Sequence, residues 1–168
     1  MHENLHIFHQ KGFEKTPTYE VFEKDVQALC DFITSNRANF HSANKLGENS
    51  KSVQNLLSPL CLKLGYRDDE VIESVFGRPD FSKLLEPFGE GIIIEVERGK
   101  TLDNNMDLLD LWKCHVSKPV NCLILVVPER KPTSKQMRPI SKSVVSRLKQ
   151  FFEEGNYTNA RGLAVVSY

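Results

Sequence analysis

The stretch Gly91-Ile92-Ile93-Ile94-Glu95-Val96-Glu97-Arg98-Gly99-Lys100 constrains the fold more than any other part of the chain. Its consecutive β-branched residues mark a buried strand. Side chains along a strand alternate between faces, so Ile92, Ile94 and Val96 share one face while Glu95 and Glu97 share the other. Two carboxylates fixed side by side at the end of a buried strand are costly unless a positive charge lies close. Arg98 or a nearby lysine meets that need at an ordinary strand end. A hard divalent cation such as Mg2+, which prefers carboxylate oxygens, meets it at a catalytic one.

A third acid lies a short loop upstream, in Arg78-Pro79-Asp80-Phe81. Pro79 disfavours helix just before Asp80, so the carboxylate is offered from an extended segment. A hairpin-like return between Phe81 and Gly91, helped by Pro87, Gly89 and Gly91, brings Asp80 beside Glu95.

Around this strand the apolar spacing predicts further elements. A helix is expected over 18–34, with Thr16 or Thr18 as cap and Pro17 in the first turn. The stretch 36–50 is rich in Asn, Ser and Lys and reads as a loop. A second helix is expected over 52–64, kinked or broken at Pro59 and closed by Gly65. Residues 68–74 read as a helical turn, and 76–81 lead into the sheet, where 91–97 is the central strand. A third helix over 105–116 presents Leu108, Leu111, Trp112 and His115 to the sheet, with Asp107, Asp110 and Lys113 off that stripe. His115 is read as a satisfied interior histidine. A second buried strand covers 121–127, a basic loop 129–139, a fourth helix 140–153 and a last strand 161–166.

Strands alternating with helices predict an α/β fold: a central mixed sheet of about four to five strands, flanked by helices on both faces. With 168 residues, the chain suits a single domain over 1–168, with 1–16 a mobile lead segment. No apolar run is long enough to cross a bilayer and none resembles a signal peptide, which points to a cytoplasmic protein without a membrane partner. Cys30, Cys61, Cys114 and Cys122 form no CxxC pair and read as buried free thiols. His2, His6 and His9 are read as uncommitted. Formal net charge is zero, but its distribution is uneven. Acids dominate between Asp68 and Glu97. Between Glu129 and Lys149 the bases Arg130, Lys131, Lys135, Arg138, Lys142, Arg147 and Lys149 face only Glu129. That pattern suits a protein holding metal in one place and phosphates in another, or a solvated basic face.

Pro79-Asp80, an apolar strand carrying Glu95-Val96-Glu97, then a helix and another buried strand resemble the PD-(D/E)xK nuclease superfamily, the fold of many restriction endonucleases. The likeness spans roughly 18–127. The third position of the motif is usually lysine and is Glu97 here, an ExE variant that also occurs in active endonucleases of the superfamily. The resemblance implies a Mg2+- or Mn2+-dependent phosphodiesterase acting on nucleic acid, with DNA the expected substrate. Asp80, Glu95 and the Val96 carbonyl would be the metal ligands, and Glu97 would orient or deprotonate a water. Lys100, or Lys113 on the next helix, would supply the missing positive charge. Glu20 or Glu23 would add an outer ligand. Arg130, Lys131, Lys135 and Arg138 would hold backbone phosphates. A chain this small has limited surface to envelop a duplex, so a homodimer or a partner protein is expected. The alternative is a catalytically inactive module of the same fold that binds nucleic acid or a partner protein in a defence or repair assembly.

Overall fold

The computed structural model describes residues 3–68, 77–98 and 100–168. The turn expected over 68–74 therefore lies outside the described residues beyond Asp68, as does Phe76 at the start of the lead-in. Five strands form one mixed sheet in the order β1-β7-β4-β3-β2. They are β1 (Leu5–His9), β2 (Phe81–Leu85), β3 (Glu90–Val96), β4 (Val120–Val127) and β7 (Gly162–Ser167). β3, β4 and β7 run parallel, while β2 and β1 close the two edges antiparallel. Helices α1 (Pro17–Ser35), α2 (Arg37–Ala43) and α3 (Ser50–Lys63) lie on one side; α4 (Met106–Val116) and α5 (Ser141–Leu148) lie on the other. A separate antiparallel ribbon joins β5 (Arg130–Pro132) to β6 (Met137–Pro139). The chain is thus the α/β fold with a mixed sheet between helical layers that its patterning predicts.

The pleat divides the core in two. Ile92, Ile94 and Val96 join Phe22, Val26, Leu29, Val53 and Leu57 on the α1–α3 side. Ile93 joins Leu111, Cys114, Val144 and Leu148 on the other. β4, buried on both faces throughout, is the middle strand, so β3 stands beside the centre rather than at it. All four cysteines are free and buried. Among the described residues no helix is long and apolar enough to cross a membrane.

The helix ends follow local chemistry. Thr16 caps α1 by accepting from the Tyr19 N–H, with Pro17 at the first helical position. α3 ends in a left-handed Gly65 (φ 88°), with Tyr66 N–H bonded to Cys61 O and Gly65 N–H to Leu62 O.

Several expectations are corrected. The stretch 36–50 is not wholly a loop: one buried aromatic, Phe40, packs against Phe32 and Tyr168 and folds its neighbours into α2. Pro59 does not break α3, because Pro59 and Asn55, whose carbonyl loses its donor, are both exposed to solvent. The lead segment is not free, since Leu5–His9 pairs with β7 from Leu5↔Val166 to His9↔Gly162. The basic loop is the β5–β6 ribbon. The fourth helix is α-helical only to Leu148 and tightens into a 3-10 turn over Lys149–Phe152.

Gly162 opens β7 where no side chain fits. A Cβ there would stand 2.8 Å from Phe13 Cε1 and 3.3 Å from Phe22 Cε1. Gly162→Ala is therefore expected to cost about 1–3 kcal/mol by overpacking, read as a lower urea midpoint at unchanged m-value.

Candidate active site

The β2–β3 hairpin sets the first pair of acids. Its register places Phe81 opposite Ile94, so Asp80 arrives across from Glu95. The Asp80 N–H donates to Glu95 Oε2 (3.4 Å), and Asp80 Oδ2 accepts the Val96 N–H (2.8 Å). From α3, Gln54 Nε2 donates to Asp80 Oδ1 (2.7 Å) and fixes the other oxygen. Val96 takes part first through its N–H, and its carbonyl leaves the strand on the same edge. Glu97, one residue past the end of β3, is half-buried on the side of Glu95.

Helix α4 completes the site with the face that the periodicity assigns to solvent. Asp107, Asp110 and Lys113 are buried with Leu111 and Cys114, whereas Trp112 is 45 % exposed. The inward stripe is rotated because α4, packed on β4, turns its polar side toward the end of β3 that carries the glutamates, and a polar helix face meets a polar strand end. Lys113 Nζ bonds Glu95 Oε1, stands 3.5 Å from Asp110 Oδ1, and reaches the Arg78 carbonyl (3.5 Å). Lys100 is exposed, so Lys113 is the amine beside the carboxylates.

Asn105, left-handed at φ 53°, starts α4; the Thr101 carbonyl receives the Met106 N–H (2.9 Å) just before Asp107. Arg147 of α5 binds Asn105 Oδ1 (2.7 Å) and pairs with Asp107 Oδ2 (3.4 Å). Arg98 points away, its guanidinium bonded to the carbonyls of Lys45 and Glu48. His115 receives the Asn159 N–H (3.0 Å) and meets Thr158 Oγ1, so the histidine is satisfied as expected, but it is half-buried rather than interior. Glu20 and Glu23 are exposed, and Glu23 accepts from Tyr19 OH.

Negative charge exceeds positive charge here. Burial raises the pKa of Glu95, Asp110 takes it further, and the Lys113 ammonium offsets only part of that rise. Burial likewise raises Asp110 against the pull of Lys113. Glu97 is pushed up to about 7 by burial and then by Glu95 and Asp80. Burial also raises Asp80 and Asp107 despite their donors. Burial pulls Lys113 down, but the charges of Glu95 and Asp110 outweigh it and hold the amine protonated.

Such carboxylates suit a hard cation by chemistry. One oxygen of Asp110 and Oδ1 of Asp107 are buried without a hydrogen-bond partner, and Asp107 Oδ2 has the Arg147 Nε at 3.4 Å. Among the described residues, however, no three acidic, histidine or cysteine groups are already gathered as a chelate. Both Asp80 oxygens are engaged by Val96 and Gln54, and one Glu95 oxygen by Lys113. The second Glu95 oxygen accepts the Asp80 N–H, so each oxygen of Asp80 and Glu95 already has one donor, and Lys113 is the positive charge in place.

Of the bases expected to hold phosphates, Lys131 and Arg138 bind Asp103, Arg130 donates to the Met137 carbonyl (3.1 Å), and Lys135 is exposed at the ribbon tip. Asp107, Asp110 and Gln54 had no assigned role in the sequence reading. The signal that could have found the two aspartates is their i, i+3 spacing with Lys113 three residues further on, which places all three along one side of a helix. No model of a known protein family matches the chain, and no curated protein matches it.

Proposed function

We propose that the protein is a metal-dependent phosphodiesterase of the PD-(D/E)xK type that cuts DNA. The observation that carries this reading is the meeting of Asp80 and Glu95 across one hairpin, with the Lys113 ammonium on Glu95. A buried carboxylate excess around a single lysine is poor design for stability and good design for a site that recruits a cation and a phosphate.

Asp80 and Glu95 would hold Mg2+ or Mn2+, which supplies positive charge against the scissile phosphate and acidifies a water. Lys113, kept protonated by its neighbours, donates hydrogen bonds and charge to the phosphate oxygens. It takes the task that the usual motif lysine performs from the position of Glu97. Glu97 has a pKa of about 7, matched to accepting a proton from the attacking water near neutral pH. Gln54 and the Val96 N–H keep Asp80 oriented.

The test is incubation of purified protein with plasmid and linear DNA, and with RNA, in Mg2+, Mn2+ or EDTA. Metal-dependent nicking or cutting is the expected result. No cleavage in either metal, together with no metal binding by calorimetry, overturns the reading. Salt-sensitive DNA binding without cleavage would instead identify a non-catalytic module. Glu97→Lys separates the two placements of the amine. If Lys113 fills the role and Glu97 is the base, the added lysine lowers cleavage; a gain would identify a decayed site.

A further inference from the structure

We propose that the β5–β6 ribbon enters the major groove of a B-form DNA duplex and sets that duplex on the acid cluster. The inference deepens the nuclease reading and rests on it for what happens to the DNA after docking.

Position is the first argument. Because β3, β4 and β7 are parallel, their carboxyl ends share one edge of the sheet. Glu95 and Glu97 sit at the end of β3, and the ribbon leaves the end of β4 through Pro128 and Glu129. In open α/β sheets this is the edge where ligands bind. The ribbon is rooted there by Glu129 N–H to Tyr168 O (2.8 Å), Ile140 N–H to Glu129 O (3.0 Å) and Asn44 Nδ2 to Arg130 O (2.8 Å). Asp103, in the connection that follows Glu97, binds Lys131 from one ribbon strand and Arg138 from the other. The connection that leaves the acid-bearing strand therefore holds the ribbon directly.

Shape is the second. The pairing runs Arg130↔Pro139, Lys131↔Arg138 and Pro132↔Met137. The tip is set by Thr133, whose Oγ1 accepts the Lys135 and Gln136 N–H groups (3.3 and 3.0 Å) and donates to Gln136 O (2.6 Å). Residues 133–139 are all exposed, so the ribbon contributes little to the core. A lone two-stranded ribbon is only marginally stable, which makes a purely structural purpose a poor explanation for it. From Arg130 to the tip, four steps of about 3.3 Å reach roughly 13 Å. That exceeds the major-groove depth of about 8.5 Å, and the groove's width of about 12 Å admits a two-stranded ribbon where the minor groove, about 6 Å wide, does not. The deep, narrow major groove of duplex RNA is closed to it.

Chemistry is the third. Arg130, Lys131, Lys135 and Arg138 face one acid, Glu129, within the ribbon and its root. Lys135 and Gln136 lie at the tip, where a lysine meets guanine edges and a glutamine meets adenine edges. Arg130 and Arg138, nearer the root, would meet the backbone phosphates, Arg138 by exchanging its bond to Asp103. Pro132 and Pro139 lack N–H donors and discourage pairing with another strand, leaving the ribbon free for a groove.

The experiment measures duplex binding by fluorescence anisotropy in Ca2+ for the wild type and for K135A/Q136A. Its ligands are duplex DNA, duplex RNA of the same sequence, DNA whose major groove is filled by glucosylated hydroxymethylcytosine, and DNA with netropsin in the minor groove. Duplex DNA is expected to bind about tenfold or more tighter than duplex RNA, and glucosylation or K135A/Q136A to weaken it by about tenfold. Netropsin should have little effect, and the melting temperature of the exposed double variant should not change. The proposal is overturned by full affinity in K135A/Q136A, by competition from netropsin but not glucosylation, by equal binding of duplex RNA, or by no binding to duplex DNA. Ribbon-dependent binding with no metal-dependent cleavage sinks the nuclease reading and leaves the ribbon standing. Cleavage indifferent to the ribbon variant does the reverse.

Discussion

Lys113→Met is expected to lower the unfolding free energy by about 3–5 kcal/mol at mildly alkaline pH, the usual cost of removing one partner from a buried ion pair. The loss should shrink strongly in mild acid. Lys113 is the cation for both Glu95 and Asp110, so its removal leaves two buried carboxylates without compensation. Methionine keeps the length of the apolar stem, so packing changes little. The pH dependence follows from linkage. A carboxyl whose folded pKa lies above its unfolded value makes the folded state bind more protons, and stability falls as pH rises between the two. Glu97 gives the wild type this slope from about 4.5 to about 7, and Glu95 and Asp110, raised by burial even beside the ammonium, add to it. In the variant, Glu95 and Asp110 lose the ammonium that held them down and steepen it, while in acid all three are neutral and the variant approaches the wild type. Urea unfolding across a pH series measures this. A loss of equal size at every pH would assign Lys113 a packing role instead.

Glu95→Gln should behave in the opposite way. Stability is expected to stay within about 1 kcal/mol of the wild type, because Asp110 remains to pair with Lys113 and no buried charge is orphaned. The substitution also removes a carboxylate that burial and Asp110 disfavour. Cleavage should nevertheless fall by about 100-fold or more, the scale on which loss of a preorganised electrostatic group is felt. Stability retained with activity lost is the signature of a residue kept for chemistry. If activity survives and only stability changes, Glu95 is part of a structural ion cluster. Calorimetric Mn2+ titration of the same variant gives an independent readout, with weakened binding expected.

The parts of the fold legible in the sequence were those with a strong period or a turn residue. The isoleucine strand, the strand stopped at Pro128, the capped first helix and the glycine-ended third all follow from local rules, as does the hairpin that joins Asp80 to Glu95. What failed depended on tertiary partners. One buried phenylalanine turns an Asn- and Ser-rich stretch into α2, and antiparallel pairing with a distant β7 holds β1. The helix bearing Lys113 was misoriented for a more general reason. A hydrophobic stripe is taken to face inward, yet at α4 the neighbouring strand end is charged, and the acidic face turns toward it. Trp112, which looks like core, rests instead edge-on against His115 near the surface. Two carboxylates were therefore hidden by the assumption that buried means apolar, while Lys113 was legible only as the alternative to Lys100.

Most of the acid cluster comes from one length of chain, running from Asp80 through Glu95 and Glu97 to Asp107, Asp110 and Lys113. Among the described residues, Gln54 and Arg147 join it from elsewhere. Such an arrangement is portable: a hairpin and its crossover helix could be grafted between scaffolds as a cassette, with the surrounding helices free to diverge as long as they keep one amide donor and one guanidinium in reach.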